Sequence, residues 1–236
     1  MGVPVVDMAG GEEEAARRMS EACREFGFFY LVGHGVEEEL RAKLYEEMRR
    51  FFALPEGTKE KYHTRTNSYN RGWTPMEEET LDPSKQTRGD TKEGYYIGRE
   101  IPLEGHPMSG KPLHGPNVWP SEEELPGWKE TMERYFESVS MVGHRLLRLL
   151  ALSQPMLFLR LLHYSEIKSS VDEEGKGVYA CGEHTDYGMI TLLSTDENPG
   201  LQIKLKDGQW IDIPPRKVTG EKKEEREEHQ EEEKEK

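Results

Sequence analysis

The chain has 236 residues, room for one large domain or two small ones, with 34% hydrophobic and 33% charged residues and a formal net charge of -14. That balance excludes a general affinity for nucleic acid or anionic membrane, since phosphate binding needs a basic surface, and leaves small-molecule and protein partners open. Charge is concentrated at the C-terminal end, so a compact core followed by a solvated tail is expected.

Cys23 and Cys181 are the only cysteines, which gives no disulfide framework and points to a reducing compartment. The apolar clusters at 146–152 and 156–162 are interrupted by Arg148 and Arg160 and are too short to span a bilayer. No signal-peptide pattern is present. Met1-Gly2 lacks the Ser or Thr that myristoylation requires, Val6 standing at that position. A cytoplasmic protein, with no membrane partner, is expected.

In chain order, residues 3–7 read as a short strand, and residues 12–26 as a helix with Ala15, Met19, Ala22 and Phe26 on one face, stopped at Gly27. A buried strand follows at 28–32, then the turn Gly33-His34-Gly35 and a second amphipathic helix over 37–52, ended by Pro55. Residues 58–120 are rich in turn formers and carry one good strand candidate, 94–98. A stretch that long and irregular is usually functional or wrapped over another element.

Ser121 and Glu124 have capping-box spacing, which predicts a long packing helix from there through Trp128, Met132, Tyr135, Phe136 and Val139 to Leu152. Short strands are then expected at 156–164, 178–181, 189–194, 201–205 and 210–213, with turns at Asn198-Pro199-Gly200 and Lys206-Asp207-Gly208. Such strands after a helical half suggest an antiparallel sandwich or barrel. From 221 to 236 almost every residue is Glu, Lys or Arg, so a disordered tail or a solvated lone helix is expected at this end.

The chemistry centres on His184-Thr185-Asp186. On a strand, residues two apart point to one side, so His184 and Asp186 can offer a nitrogen and an oxygen to one ion. That is two thirds of the two-imidazole, one-carboxylate facial triad of non-haem Fe(II) centres. A His-x-Asp triplet is common by chance, and a surface His beside an Asp is the plainer alternative.

The surroundings sharpen it. Glu183-His184-Thr185-Asp186-Tyr187-Gly188, then Ile190-Thr191-Leu192-Leu193, Gly200-Leu201-Gln202, Gly208-Gln209-Trp210 and Ile213-Pro214-Pro215 resemble the core of the plant-type 2-oxoglutarate- and Fe(II)-dependent dioxygenases, the isopenicillin N synthase-like superfamily. Upstream, residues 27–36, Arg71-Gly72-Trp73-Thr74-Pro75, residues 92–97, Asn117-Val118-Trp119-Pro120 and Leu125-Pro126-Gly127-Trp128 resemble the same family in the same order, so the likeness runs over about residues 3 to 215.

The resemblance implies an α+β, mainly β fold. Its core is a double-stranded β-helix (jelly roll), incomplete at its C-terminal end, behind a helical N-terminal region. The implied organisation is a non-haem dioxygenase N-terminal region at 1–120, a packing helix at 121–152, a partial dioxygenase core at 153–215 and a charged tail at 216–236. It also implies Fe(II) as cofactor, with 2-oxoglutarate and O2 as co-substrates. The family oxidises a small organic substrate, usually by hydroxylation, with release of succinate and CO2.

Matched residue by residue, His184 and Asp186 are the metal ligands and Tyr164 the residue that hydrogen-bonds 2-oxoglutarate. Where the family has Asn ahead of that Tyr this chain has Leu162, and an ordinary strand aromatic is the alternative for Tyr164. Arg71 and Tyr95 are candidates for the substrate mouth, with a surface ion pair the alternative for Arg71. His34 is expected to be structural, His163 to face away from Tyr164, and Cys181 to be a small buried apolar residue.

Two departures stand out. Ser153-Gln154-Pro155 makes a short join where relatives have roughly a dozen more residues. After Pro215 the family's distal His and Arg-x-Ser pair have no counterpart, and His229 lies in a charged stretch that cannot hold it in a buried site. A catalytically inactive truncated form acting as an interaction or regulatory protein is therefore the alternative, with a Zn-binding or structural β module a more distant one. The substrate is not written in the sequence.

Overall fold

A computed structural model describes residues 3–150, 158–166, 170–174, 176–186, 190–205 and 207–215. The expected short join at 153–155, the tail and His229 lie outside these residues. The described elements are β1 (Val5–Asp7), α1 (Glu12–Glu25), β2 (Tyr30–Val32), α2 (Glu38–Phe52), α3 (Glu56–Lys59), β3 (Gly72–Thr74), β4 (Lys92–Gly98), α4 (Trp128–Leu149), β5 (Phe158–Tyr164), β6 (Ser170–Val171), β7 (Gly177–Val178), β8 (Gln202–Lys204) and β9 (Trp210–Asp212). The chain divides into two compact units, one of residues 1–38 with 193–236 and one of residues 39–192.

In the first unit α1 connects the parallel pair β1 and β2, registered Val5 to Tyr30 and Asp7 to Val32. Its buried face is Ala15, Met19 and Ala22, the spacing the sequence predicts. The strand at 28–32 is shorter than expected, because Phe28 is 50% exposed and only Tyr30 onward pairs. His34 Nδ1 accepts from the Val36 amide at 3.1 Å between Gly33 (φ 62°) and Gly35 (φ 86°), a local turn clasp. The β8–β9 hairpin pairs Gln202 with Asp212 and Lys204 with Trp210.

The second unit is built on the antiparallel sheet β3-β4-β5, whose long seam pairs Lys92 with Tyr164 at one end and Gly98 with Phe158 at the other. Phe51, Tyr95 and Trp128 meet edge to face or tilted, with centroids 4.7 Å (Phe51–Tyr95), 5.0 Å (Tyr95–Trp128) and 5.5 Å (Phe51–Trp128) apart. Trp128 Nε1 donates to Glu47 O at 3.1 Å, which ties α4 to α2. The rest of the buried α4 face includes Met132, Tyr135, Val142 and Leu146.

Three expectations are corrected. Ser121 Oγ does accept the Glu124 amide at 3.2 Å, but the helix begins only at Trp128. Gly127 is left-handed (φ 75°) and Pro126 has no N–H, so the chain turns between the cap contact and the helix. Residues 190–194 form no strand, and Leu192 and Leu193 stay exposed, since an apolar run without a pairing edge does not hold strand geometry. Residues 72–74, not expected as strand, pair with β4 through Trp73 and Tyr95. Among the described residues the sheets have two or three strands and no barrel closes.

Candidate metal centre

The start of β4 and the end of β5 lie side by side, so Tyr164 stands beside Lys92. The chain then passes through the β6–β7 hairpin, registered Val171 to Gly177, and runs along residues 82–92 without strand structure. Backbone bonds fix that passage: Gly177 N–H donates to Lys85 O at 3.1 Å, Thr87 N–H to Gly177 O at 3.1 Å, and Thr91 N–H to Tyr179 O at 3.1 Å. Gly182 N–H donates to Asp90 Oδ1 at 3.3 Å.

His184 and Asp186 follow directly and converge. His184 Nε2 lies 3.4 Å from Asp186 Oδ1, with the side chains 37% and 49% exposed. On its other edge, His184 Nδ1 lies 2.9 Å from Gly182 O. A carbonyl only accepts, so Nδ1 carries the proton of that bond and Nε2 is left to face the carboxylate. Two lone pairs held this close repel each other unless a proton or a cation lies between them.

Two cis donors, each about 2.1 Å from one ion, sit roughly 3 Å apart, so the observed span fits two adjacent positions of a divalent metal after a small adjustment. A carbonyl on the far imidazole nitrogen is the usual support for such a ligand. Among the described residues, no group of three or more His, Cys, Asp or Glu is placed to hold a metal ion. His184 and Asp186 are thus a pair without a described third protein ligand.

Tyr164 and Cys181 complete the neighbourhood. The Cys181 thiol lies 3.9 Å from His184 Nδ1 and accepts from Lys92 Nζ at 3.5 Å. Tyr164, 44% exposed, turns its hydroxyl to Cys181, and desolvation, then the adjoining thiol, pushes the phenol above its usual range. Burial likewise pushes the Cys181 thiol up, against the opposing pull of Lys92. Cys181 is half-buried in polar company, which corrects its reading as a plain apolar filler.

Beneath this face runs a chain of charges. Arg160 and Tyr96 both bind Glu79, Lys92 sits between Glu79 Oε2 at 3.3 Å and Asp90, and Gln86 Nε2 donates to Asp90 Oδ1 at 2.5 Å. Burial works against ionised Glu79, but Arg160, Tyr96 and Lys92 outweigh it and hold the carboxyl below its ordinary range.

Other candidates sit elsewhere. Tyr95 is fully buried and donates to Val118 O at 2.7 Å, so it belongs to the aromatic core and not to a substrate mouth. Arg71 is buried too, donating to Tyr69 O at 2.7 Å and Leu113 O at 3.1 Å with its guanidinium 5.1 Å from the Phe158 ring centroid, so it braces backbone instead of pairing at the surface. Burial lowers its affinity for its proton. His163 lies at the surface over buried Glu93, its Nδ1 3.0 Å from Glu93 Oε1 and its ring stacked 5.3 Å from Phe52. Sequence reasoning passed over Asp90, Lys92 and Gly182, although a run of charges opening an otherwise uncharged buried strand was a signal.

Two family models match the chain: non-haem dioxygenase in morphine synthesis N-terminal over residues 3–122, and 2OG-Fe(II) oxygenase superfamily over residues 156–223. A probable iron/ascorbate oxidoreductase of Dictyostelium discoideum is 33% identical, the match covering 92% of this chain and 69% of that protein. Kihadalactone A synthase of Citrus sinensis is 35% identical over 90% of this chain and 68% of its own. The crystal structure of a full-length Neurospora crassa protein in complex with alpha-KG is similar at a TM-score of 0.72 and 30% identity, covering 92% of this chain and 70% of that one. That protein has also been crystallised with alpha-KG and thymine. The chain therefore belongs to the 2OG-Fe(II) oxygenase superfamily, oxidoreductases with a jelly-roll fold that use Fe(II), 2-oxoglutarate and O2.

Proposed function

We propose that this chain binds Fe(II) through His184 and Asp186 and oxidises a small organic substrate, by hydroxylation, with conversion of 2-oxoglutarate to succinate and CO2. The observation that carries the reading is the convergence of His184 Nε2 and Asp186 Oδ1 at 3.4 Å, with Gly182 O fixing the opposite edge of the imidazole. Bound Fe(II) supplies the coupling of O2 and 2-oxoglutarate to oxidation of a C–H bond. The protein's share is to aim Nε2, through the Nδ1 contact to Gly182 O, and to keep the Asp186 carboxylate beside it. Tyr164 offers its hydroxyl to the co-substrate from the end of β5. The small-molecule class is supported by the thymine complex of the Neurospora crassa relative.

The domain reading belongs to the same proposal: a non-haem dioxygenase N-terminal region at 1–120, a packing helix at 121–152, an Fe(II)/2-oxoglutarate dioxygenase core at 153–215 and a charged tail at 216–236. A second reading keeps the metal pair and drops turnover, making the chain a non-catalytic interaction or regulatory form. It is favoured by the sequence after Pro215, in which His229 is the one histidine and is flanked by Glu228, Gln230 and Glu231. Succinate release from 2-oxoglutarate, measured after anaerobic loading with Fe(II) and admission of O2, separates the two. Succinate formed in proportion to bound iron supports the enzyme; no succinate at any iron level, with metal still bound, supports the second reading.

A further inference from the structure

The His184–Asp186 segment lies outside every strand, yet it is held in a defined place, and the side chain that holds it comes from more than ninety positions earlier in the chain. Asp90 is fully buried, and its backbone is fixed at both ends, its N–H donating to Glu79 O at 2.7 Å and its carbonyl accepting from Glu77 N–H at 3.0 Å. Its two carboxylate oxygens divide their work. Oδ2 takes the Lys92 ammonium, and Oδ1 takes Gln86 Nε2 at 2.5 Å and Gly182 N–H at 3.3 Å.

Gly182 then passes the constraint on, because its own carbonyl accepts from His184 Nδ1 at 2.9 Å. A Cβ on Gly182 would lie 2.7 Å from Gln86 Oε1 and 3.1 Å from Asp82 N, so an added methyl displaces the Gln86 side chain that also binds Asp90. We propose that Asp90 is a positioning residue for the metal centre, acting through Gly182 to set the tautomer and direction of the His184 imidazole. Residues 82–92 thereby serve as part of the site, not only as its cover. The proposal rests on His184 being a metal ligand, and its test separates the two ideas.

Asp90→Asn leaves one oxygen where two are needed. The Lys92 ammonium claims that oxygen, which turns the amide NH2 toward the Gly182 and Gln86 donors and breaks the latch. Gly182→Ala loosens the same latch from the other side, by pushing Gln86 and the Asp82 backbone away from Gly182, in a segment outside every strand. Met132→Ala, in the buried face of α4, serves as a control that loses stability without touching the latch.

Two readouts are taken on the full chain: the His184 tautomer by imidazole nitrogen NMR on the metal-free protein at about pH 8, above the imidazole range, and Co(II) affinity by titration of the visible absorption bands. Wild-type protein is expected to show the Nδ1–H form. Asp90→Asn and Gly182→Ala are expected to lose its dominance and to bind Co(II) about tenfold more weakly, while Met132→Ala keeps both properties whatever its melting temperature. If Asp90→Asn does not fold, Gly182→Ala decides alone. Retention of the Nδ1–H form and of wild-type Co(II) affinity in the latch variants overturns the proposal. A tautomer change in protein that binds no Co(II) even as wild type upholds the latch and removes the metal reading instead.

Discussion

Lys59 Nζ donates to Glu93 Oε2 at 2.7 Å, and both side chains are almost fully buried. Glu93 also accepts from Trp73 Nε1 at 2.7 Å and faces His163 Nδ1 at 3.0 Å, so one carboxylate joins α3, β3, β4 and β5. Removing its charge leaves the Lys59 ammonium uncompensated, which costs about 3 kcal/mol or more in such settings. Glu93→Gln should lower unfolding stability by that order in a urea titration followed by tryptophan fluorescence. Lys59→Met should cost less, because His163 and Trp73 still satisfy the carboxylate.

The same network sets the response to acid. Burial raises the cost of ionising Glu93, but hydrogen bonds from His163, Lys59 and Trp73 outweigh it and hold its carboxyl below the ordinary carboxylate range, as Arg160 and Tyr96 do for Glu79. A folded value below the unfolded one gives stability that is present above the unfolded value and lost as pH falls through the folded one. Urea midpoints should therefore be flat above about pH 5 and fall once the pH drops below about 4.5, the ordinary glutamate value. The fall should be shallower in Glu93→Gln; an equal acid slope in that variant would count against the assignment.

Gly72 opens β3 at φ 106°, and an added Cβ would overlap Tyr62 O. Gly72→Ala combines a backbone conformation costing about 1–3 kcal/mol with that clash, and should lower the melting temperature clearly. Gly57→Ala, where nothing lies within 4 Å of the added carbon and φ is not positive, should not.

The Tyr164 hydroxyl has a thiol, a weak acceptor, as its resident partner, which in the proposed role leaves it free to bond 2-oxoglutarate. Loss of one hydrogen bond of about 1 kcal/mol predicts that Tyr164→Phe weakens 2-oxoglutarate binding to the Co(II)-loaded protein roughly fivefold, with stability little changed. Calorimetric titration reads this directly, and unaltered 2-oxoglutarate affinity would leave Tyr164 as an ordinary strand aromatic.

What the sequence disclosed was mostly local. The Ala15–Met19–Ala22 face of α1, the strand ending at Tyr164 and the hairpin at 202–212 follow from spacing and turn residues, which act within a few positions; the pairing of that strand with β4 does not. The start of α4 did not, because the Ser121–Glu124 contact forms in a turn that Gly127 then redirects. Arg71 and Tyr95 were misplaced since a motif gives residue identity and not the direction of a side chain; one braces backbone and the other fills the core. His184 and Asp186 were legible as a pair. The Asp90–Gly182 contact that sets them was not, because it spans 92 positions and leaves no periodic trace.

The central claim is that His184 and Asp186 together hold a divalent metal, and an anaerobic Fe(II) titration of wild-type, His184→Ala and Asp186→Ala protein tests it most directly. Saturable binding of one Fe(II) per chain, weakened about tenfold or more by either substitution while the fold is kept, is the predicted result. Fe(II) affinity left unchanged by both substitutions would contradict it.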